Sequence, residues 1–588
     1  MNIEFNLFLS QKRRKRGIKE SIDLFPTATE LYENLDTIGI VKRVQEIQQL
    51  GLIKVNSNLI KSRYDYILLQ LYFHQIIKKN MQSCLRYSYN NYVKKKEFLA
   101  ECAEIKDNVS IADIIQCLTI AYNIGHFYNT FTASRSVIML AIEDDTFLSN
   151  IKSACSSPRF STLCDDIISK RDYLRMHLLN TLIILNQCDP SLESIKLTKE
   201  IIYAYLEEQR LPKDSKLHFV FNLFRIVRNN AYVAYDLQIS STPFSFDLCN
   251  ENAVMNFFKE SLSEFNDCRS ALELVRSIQK LLDSTVYNEN SNAICYYQIS
   301  RKMHREMIND YSGIWDDYYQ EYFLNKSSRF NSVYIQRRDY DQDGILKITF
   351  GEDHRLLAED LIDSLEHTDN IRTGYYDRYS NDTTVLIALK RSCKDKSKTA
   401  FKVLKLVVSY LRRMELAPDD DRYILATKFF LRHLFVERNV IIKPTINEKK
   451  CVFCTRGKSR RIEELQMILE KSIGNIDEEH EVQAIINIIK KDQKNDTCIT
   501  VPGSTLVFSP NGQKLCEIDG IVIYPQRKNK QIIILEAKNT DEKPGYGAKC
   551  LANKMKNLGW KYDRKQILVD GHDASYNFSV GDEVAHNS

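Results

Sequence analysis

The feature that most constrains the fold of this chain is residues 517–539, EIDGIVIYPQRKNKQIIILEAKN. Two apolar segments stand on either side of a basic turn, a pattern that predicts two paired strands. Asp519 opens the first segment, and Glu536 and Lys538 close the second. A charge at the end of a buried strand is costly unless another charge or a ligand pairs with it. The stretch therefore predicts either an ion pair or a ligand site.

The expected hairpin gathers these charges at one end. Side chains alternate between the two faces of a strand, so Glu536 and Lys538 point the same way. If GIVIY pairs with IIILE around the turn PQRKNK, Asp519 lies close to Glu536. Two adjacent carboxylates repel, and a single lysine offsets only part of their charge. Because carboxylate oxygens suit hard cations, Mg²⁺ or Mn²⁺ is the expected cofactor.

Length and composition bound the class of protein. The 588 residues exceed what one hydrophobic core supports, so a multidomain chain is expected. Hydrophobic residues make up 44% and charged residues 27% of the chain, as in ordinary folded proteins. The net charge is only +5, so nucleic-acid binding would depend on local basic patches rather than on the field of the whole protein.

Cysteine usage and hydropathy predict the cellular setting. The 15 cysteines are odd in number and follow no secretory signal, which favours reduced thiols in the cytoplasm. The most apolar helical stretch, residues 173–188, is interrupted by Arg175 and His177. It falls short of the roughly 20 apolar residues that a membrane span needs. We therefore expect a soluble protein that does not interact with membranes.

The chain divides into three segments with different hydrophobic patterns. Residues 1–325 are predicted to form a mostly α-helical scaffold or sensor region, because apolar residues recur three and four positions apart from about residue 20 onward. Residues 331–440 predict a small α/β unit with a β-hairpin over 332–350, helices over 354–366 and 400–414, and a strand at TTVLIALKR. Residues 445–588 predict a helix, several strands, a second helix and a final strand, in that order.

Asp519 at the head of one strand, followed after sixteen residues by Glu536-Ala-Lys538, resembles the PD-(D/E)XK nuclease superfamily. The resemblance covers about residues 460–588, and Ile518 stands where the superfamily usually has proline. It implies a C-terminal α/β restriction-endonuclease-like domain with a central mixed β-sheet. It also implies that Asp519, Glu536 and the backbone carbonyl of Ala537 bind the metal ions, and that Lys538 orients or deprotonates the attacking water.

Members of this superfamily usually add a glutamate from the first helix of the core. The candidate helix here is DEEHEVQAIINIIKKDQ, residues 477–493. Glu481 has apolar residues three, four and seven positions later, which places it at the edge of the buried face. Glu481 is therefore the expected third catalytic and metal-binding acid, with Glu478 second and Glu479 third.

The resemblance implies a metal-dependent endonuclease that breaks phosphodiester bonds, with DNA favoured over RNA. Basic residues that would contact phosphates lie on the hairpin turn and on the following helix: Arg527, Lys528, Lys530, Lys549, Lys554 and Lys556. A solvated helix face explains the basic residues equally well when they are considered alone. The helical N-terminal region would act as a regulator, a sensor or a scaffold for a partner protein or a second copy, an arrangement found in antiviral defence.

Two alternatives stay open for the function. The C-terminal domain could retain the nuclease fold without catalysis, binding nucleic acid or another subunit, with Asp519, Glu536 and Lys538 as a structural ion-pair cluster. The domain could also be a ribonuclease, since the motif does not distinguish ribose from deoxyribose.

Two weaker motifs are also present. Cys451 and Cys454 have the spacing of half a zinc site, although two free thiols are the favoured interpretation. The run KRRKR at residues 12–16 predicts either a nucleic-acid-binding arm, a targeting signal or a solvated terminus.

Overall fold

The structure is a computed structural model. The chain forms two compact units. The first comprises residues 1–292 and 296–335, and the second comprises residues 293–295 and 336–588. The described residues are 1–7, 18–51, 62–99, 105–239, 255, 258, 282, 290–310, 337–376, 382–434, 441–444, 452–454, 458–470, 476–492, 496–509, 511–538, 543–558 and 562–580.

The first unit is mostly helical, as the sequence predicts. Its helices are α1 (Pro26–Thr37), α2 (Ile40–Glu46), α3 (Arg63–Asn80), α4 (Ile111–Ile124), α5 (Phe131–Glu143), α6 (Asp145–Ser153), α7 (Pro158–Ser169), α8 (Met176–Gln187), α9 (Glu193–Leu206), α10 (Leu217–Ile239) and most of α11 (Asn290–Asp310). Side-chain caps fix where several of them begin. Ser62 and Asp65 form a reciprocal capping box at α3, and Ser110 accepts a hydrogen bond from the Asp113 amide at α4.

Two small antiparallel sheets in the first unit are absent from the sequence prediction. Strand β1 (Asn2–Leu7) pairs with β2 (Ile18–Asp23), and β3 (Tyr92–Lys94) pairs with β4 (Asn108–Ser110). Strands β3 and β4 have three residues each, too few for a period to be recognised. Strand β1 does alternate polar and apolar residues, but it lies in a region expected to be helical. Residues 12–16, with the basic run, lie outside the described residues.

The middle segment is an antiparallel sheet packed with helices. Strands β5 (Leu346–Phe350), β6 (Ile371–Tyr376) and β7 (Thr383–Leu389) lie in the order β5-β7-β6, accompanied by α12 (Arg355–Glu366), α13 (Lys396–Arg413) and α14 (Asp421–Leu434). The two predicted helices and the predicted strand are confirmed as α12, α13 and β7. Strand β6 and helix α14 were not predicted from the sequence.

The β-hairpin predicted over 332–350 falls only partly within the described residues. Residues 337–339 and 342–344 form 3₁₀ turns, and β5 pairs with β7, which the sequence did not predict. Strand β7 is buried along its whole length and has β5 and β6 as its neighbours. Residues 331–336, the first arm of the predicted hairpin, lie outside the described residues.

The C-terminal segment forms a larger sheet in the predicted element order of helix, strands, helix and strand. Helices α15 (Lys458–Glu470), α16 (Ile476–Lys491) and α17 (Tyr546–Asn557) accompany β8 (Ile441–Pro444), β9 (Val452–Cys454), β10 (Cys498–Phe508), β11 (Lys514–Ile523), β12 (Ile532–Glu536), β13 (Leu568–Asp570) and β14 (Asp573–Phe578). The strand order is β13-β14-β12-β11-β10-β8, and β9 also pairs with β10.

The expectation of a mixed sheet is wrong for the described strands, because all their pairings are antiparallel. Strands β10, β11 and β12 follow one another through short connections, which dictates antiparallel neighbours. Helix α17 then crosses over from β12 to β13. The chain turns back at once, so that β14 rather than β13 lies beside β12.

Helix α16 packs on the central strands of this sheet. Ile485 and Ile489 belong to an apolar cluster with Val522 of β11 and Leu535 of β12. A Cβ atom at Gly520 would lie 3.0 Å from Cδ1 of Ile485, so the helix approaches β11 closely beside Asp519.

Among the helices of the described ranges, none combines the length and the apolar run that crossing a bilayer requires.

Candidate active site

Asp519 and Glu536 lie next to each other on neighbouring strands. The register pairs Gly520 with Leu535 and Ile521 with Ile534, so the next positions along the hairpin are Asp519 and Glu536. This confirms the pairing predicted from the sequence. Asp519 is 9% exposed and Glu536 is 1% exposed. Two carboxylates are therefore brought together in a buried position, where each needs compensating charge.

The backbone of β12 holds the carboxylate of Asp519. The amide of Ala537 donates a hydrogen bond to Asp519 Oδ2 at 3.0 Å. The predicted metal-site residue Ala537 thus contacts Asp519 through its N–H, and this bond fixes the orientation of the carboxylate at the end of the hairpin.

Lys538 lies on the same face as Glu536, as predicted. Its Nζ is 2.8 Å from Glu536 Oε1 and 4.0 Å from Asp519 Oδ2. The side chain is 25% exposed, so its ammonium contacts both the acids and solvent. A residue in this place can donate to the acids and to a bound anion.

A second lysine, Lys554 of α17, completes the cluster. Its Nζ lies 2.8 Å from Asp519 Oδ1 and also contacts Glu536 Oε2. Lys554 was expected from the sequence to contact phosphate, and its ammonium instead lies between the two carboxylates. One sequence signal was available. Lys554 stands three residues after Leu551 and beside Met555, both buried, which puts it on the packed face of α17.

The electrostatics of the four groups are mutually dependent. Burial raises the pKa of the Glu536 carboxyl, and the nearby charge of Asp519 raises it further, while the two lysines oppose this rise. Burial alone would lower the pKa of Lys554 and of Lys538, but the charges of the acids outweigh burial and raise both values. The cluster has two formal negative and two formal positive charges, which cancel.

The first turns of α16 are connected to this site through Asp573. Asp573 Oδ1 accepts a hydrogen bond from the Lys538 amide at 2.8 Å and lies 3.1 Å from Nε2 of His480. Glu481, the expected third acid, follows His480 and is half-buried. Of the alternatives, Glu479 is exposed, and the side chain of Glu478 lies outside the described residues.

The described part of the chain contains no group of three or more His, Cys, Asp or Glu residues arranged to hold a metal ion. The structure therefore brings together Asp519 and Glu536 but does not gather Glu481 with them as a three-acid group. The two carboxylates fit a divalent cation by their ligand chemistry, because oxygen donors are what Mg²⁺ and Mn²⁺ prefer. The Oε2 atom of Glu536 is buried and contacts the Lys554 ammonium.

Arg527 is used within the fold rather than facing solvent. Its guanidinium forms ion pairs with Asp492 and Asp496, the second at 2.7 Å, and lies 3.5 Å from the ring centroid of Tyr524. The side chain is 14% exposed. In this conformation Arg527 stabilises the β11–β12 turn against the end of α16, and its predicted role as a phosphate contact finds no support in its placement.

The other predicted phosphate contacts face solvent. They are Lys528 and Lys530 on the hairpin turn and Lys549 and Lys556 on α17. The predicted zinc pair lies only partly in the described residues, because Cys451 falls outside them. Cys454 of β9 is the register partner of Cys498 in β10.

Comparisons of the chain with protein-family models, curated proteins and solved structures found no match.

Proposed function

We propose that the C-terminal segment is a metal-dependent nuclease that hydrolyses phosphodiester bonds, with DNA as the favoured substrate. The observation that carries the proposal is the meeting of Asp519 and Glu536 at the end of one hairpin, with Lys538 Nζ 2.8 Å from Glu536. These are the residue types, in the order and spacing, that resemble the PD-(D/E)XK superfamily. The element order, a helix followed by three strands and a second helix, also supports the proposal.

Each residue would have a distinct part in the reaction. Asp519 and Glu536 would hold Mg²⁺ or Mn²⁺, with the Ala537 carbonyl and Glu481 as further ligands, and the bound ion would polarise the phosphate and acidify a water molecule. Lys538 would orient that water and offset the charge that develops on the phosphate oxygens. Its contact with Glu536 holds the ammonium in place before the substrate arrives.

Substrate binding would rely on exposed lysines around the site. Lys528, Lys530, Lys549 and Lys556 face solvent and would contact the phosphate backbone without reading its sequence. The helical first unit would act as a regulator, a sensor or a scaffold for a partner protein or a second copy. We propose a cytoplasmic role of this kind in antiviral defence.

A second candidate function has one specific observation in its favour. Lys538 and Lys554 together neutralise both carboxylates, so the cluster is balanced without a metal ion. A domain with such an ion-pair cluster could bind nucleic acid or another subunit without cutting. A ribonuclease is the remaining alternative, because no contact of the site distinguishes ribose from deoxyribose.

Cleavage by the purified full chain tests the proposal. Plasmid DNA, single-stranded DNA and RNA are each incubated with Mg²⁺, with Mn²⁺ or with EDTA. Cleavage is expected with metal and absent with EDTA, and Asp519→Asn and Lys538→Ala should abolish it. Lys490→Ala, which changes an exposed lysine near the end of α16 that has no assigned role, serves as the control and should continue to cut. Metal-dependent cleavage that persists in Asp519→Asn would refute the site.

A binding measurement separates the two candidate functions. Because a ligand that binds only the folded state raises the unfolding temperature, Mn²⁺ should stabilise wild type and not Asp519→Asn. Binding of DNA with neither cleavage nor stabilisation by Mn²⁺ would favour the non-catalytic candidate.

A further inference from the structure

The ammonium of Lys554 occupies the place between the two carboxylates that a shared cation would take. Its Nζ is 2.8 Å from Asp519 Oδ1 and contacts Glu536 Oε2. The other oxygens have their own donors, since Asp519 Oδ2 accepts from the Ala537 amide and Glu536 Oε1 pairs with Lys538. Lys554 is thus the group that compensates the two oxygens left for a cation.

Charge decides what happens when a divalent ion enters. Two carboxylates and two ammonium groups sum to zero, so an added divalent ion would leave the buried cluster with a charge of two plus. Uncompensated charge in a buried site is strongly unfavourable. Lys554 can relieve it by moving away, because the side chain is 17% exposed and lysine has a long flexible stem.

A displaced Lys554 needs another anion. The nearest anion that the proposed function would supply is a phosphate of the bound nucleic acid, and lysine readily binds phosphate as a point charge. Exposed Lys549 and Lys556 lie on the same helix and would bring the backbone of the substrate close.

We propose that Lys554 is an internal counter-cation that competes with the metal ion for Asp519 and Glu536, and that transfers to a substrate phosphate when the metal binds. Metal and nucleic acid would therefore bind cooperatively. The metal ion would release Lys554 for a phosphate, and the phosphate would hold Lys554 away from the carboxylates. This inference rests on the proposed metal-dependent function. Lys554 acts as a positioning residue, since its effect on the reaction passes through the carboxylates.

Mn²⁺ binding to the full chain without nucleic acid tests the competition. Titration calorimetry is carried out on wild type, Lys554→Gln, Lys554→Arg, Asp519→Asn and Lys543→Gln. Removing the competing charge should make Lys554→Gln bind Mn²⁺ about tenfold more tightly than wild type. Lys554→Arg retains the charge and should keep weak binding, and Lys543→Gln, on an exposed lysine just before α17, should match wild type. Far-UV circular dichroism verifies that each variant folds.

The same titration with a short phosphorothioate duplex present tests the transfer to phosphate. In wild type the duplex should tighten Mn²⁺ binding by about fivefold or more, the range typical of coupled sites. In Lys554→Gln the duplex should tighten Mn²⁺ binding clearly less than in wild type, because only the contact between the phosphate and the ion would remain.

The outcomes separate this inference from the proposed function. If Lys554→Gln binds Mn²⁺ no more tightly than wild type while Asp519→Asn weakens binding, the metal site stands and the role of Lys554 is overturned. If the duplex tightens Mn²⁺ binding equally in wild type and Lys554→Gln, the transfer to phosphate is overturned. If Asp519→Asn binds Mn²⁺ as tightly as wild type does, or if neither binds it, both the proposed metal site and this inference are overturned.

Discussion

Asp573 Oδ1 accepts a hydrogen bond from the backbone amide of Lys538 at 2.8 Å, although the two residues lie on opposite sides of α17 in the sequence. The same oxygen is 3.1 Å from His480 Nε2 at the first turns of α16. One carboxylate therefore connects the end of β12, the start of β14 and the helix that carries Glu481. The position of Lys538 relative to Glu536 depends on this connection.

Replacing Asp573 should loosen the site and the fold together. Asp573→Ala removes the acceptor for the Lys538 amide, and we expect the free energy of unfolding to fall by about 1–2 kcal/mol. Cleavage should fall as well, because Lys538 loses its backbone anchor. Urea unfolding followed by circular dichroism measures the stability. Asp573→Asn keeps an acceptor oxygen and should lie closer to wild type; equal losses in both variants would argue against the hydrogen bond as the cause.

Arg527 should matter for stability rather than for nucleic-acid affinity. Arg527→Met removes the ion pairs with Asp492 and Asp496 and should cost about 1–3 kcal/mol in the free energy of unfolding. Lys528→Gln, on the neighbouring exposed residue, should cost almost nothing in stability but should weaken DNA binding. Fluorescence anisotropy with labelled DNA compares the two variants below their unfolding temperatures. A larger loss of affinity in Arg527→Met would restore its assignment as a phosphate contact.

Buried histidines should make the first unit sensitive to mild acid. Burial lowers the pKa of His74 and of His177 to about 3, and burial with the nearby Arg63 holds the pKa of His126 well below its usual range. Their stabilising contribution is complete above the unfolded value of about 6.5 and is lost as pH falls toward 3. Each contributes up to about 1.4 kcal/mol per pH unit in that window.

The unfolding temperature measured from pH 7.5 to pH 5 tests this sensitivity, and those pH values span the upper part of the window. It should fall steadily in wild type and less steeply in His177→Phe, which removes one of the protonating groups. An unfolding temperature that is constant between these pH values would contradict the prediction.

Gly547 should be intolerant of any side chain. A Cβ at this position would lie 2.4 Å from the carbonyl oxygen of His572, so α17 would have to move away from the start of β14. Gly547→Ala should therefore lower stability by about 1–3 kcal/mol and shift Lys554 away from the acids. Gly351→Ala is a suitable control, because among the described residues its Cβ would meet only His354 Nδ1, at 4.0 Å. Thermal unfolding of the two variants should differ accordingly.

The β11–β12 hairpin could be predicted from sequence because its determinants are local. Two apolar segments, a polar turn and charges at matching ends specify the register that pairs Gly520 with Leu535. The same local reasoning identified α12, α13 and β7. It did not predict the pairing of β5 with β7, because β7 lies beyond α12 and β6 in the chain.

The parts of the site that escaped prediction depend on contacts between distant residues. Lys554 reaches Asp519 across 35 positions, and Arg527 reaches Asp496 across 31 positions. The sequence shows that both residues are basic but not whether their charges meet an acid or solvent. That choice is made by the packing of α17 and α16. The apolar neighbours of Lys554 indicate that it lies on the packed face of α17, but not which acids it meets.

The hydrogen bond from the Ala537 amide to Asp519 Oδ2 has a consequence for ion selectivity. Bidentate binding by Asp519 would compete with that bond, so Oδ1 is the oxygen more readily offered to a cation. A site of few protein oxygens suits an ion that keeps much of its hydration shell. Ca²⁺ takes six to eight oxygen ligands and would bind weakly here, whereas Mg²⁺ retains several waters in octahedral geometry. The backbone of β12 would thus discriminate between the two ions through a single N–H group.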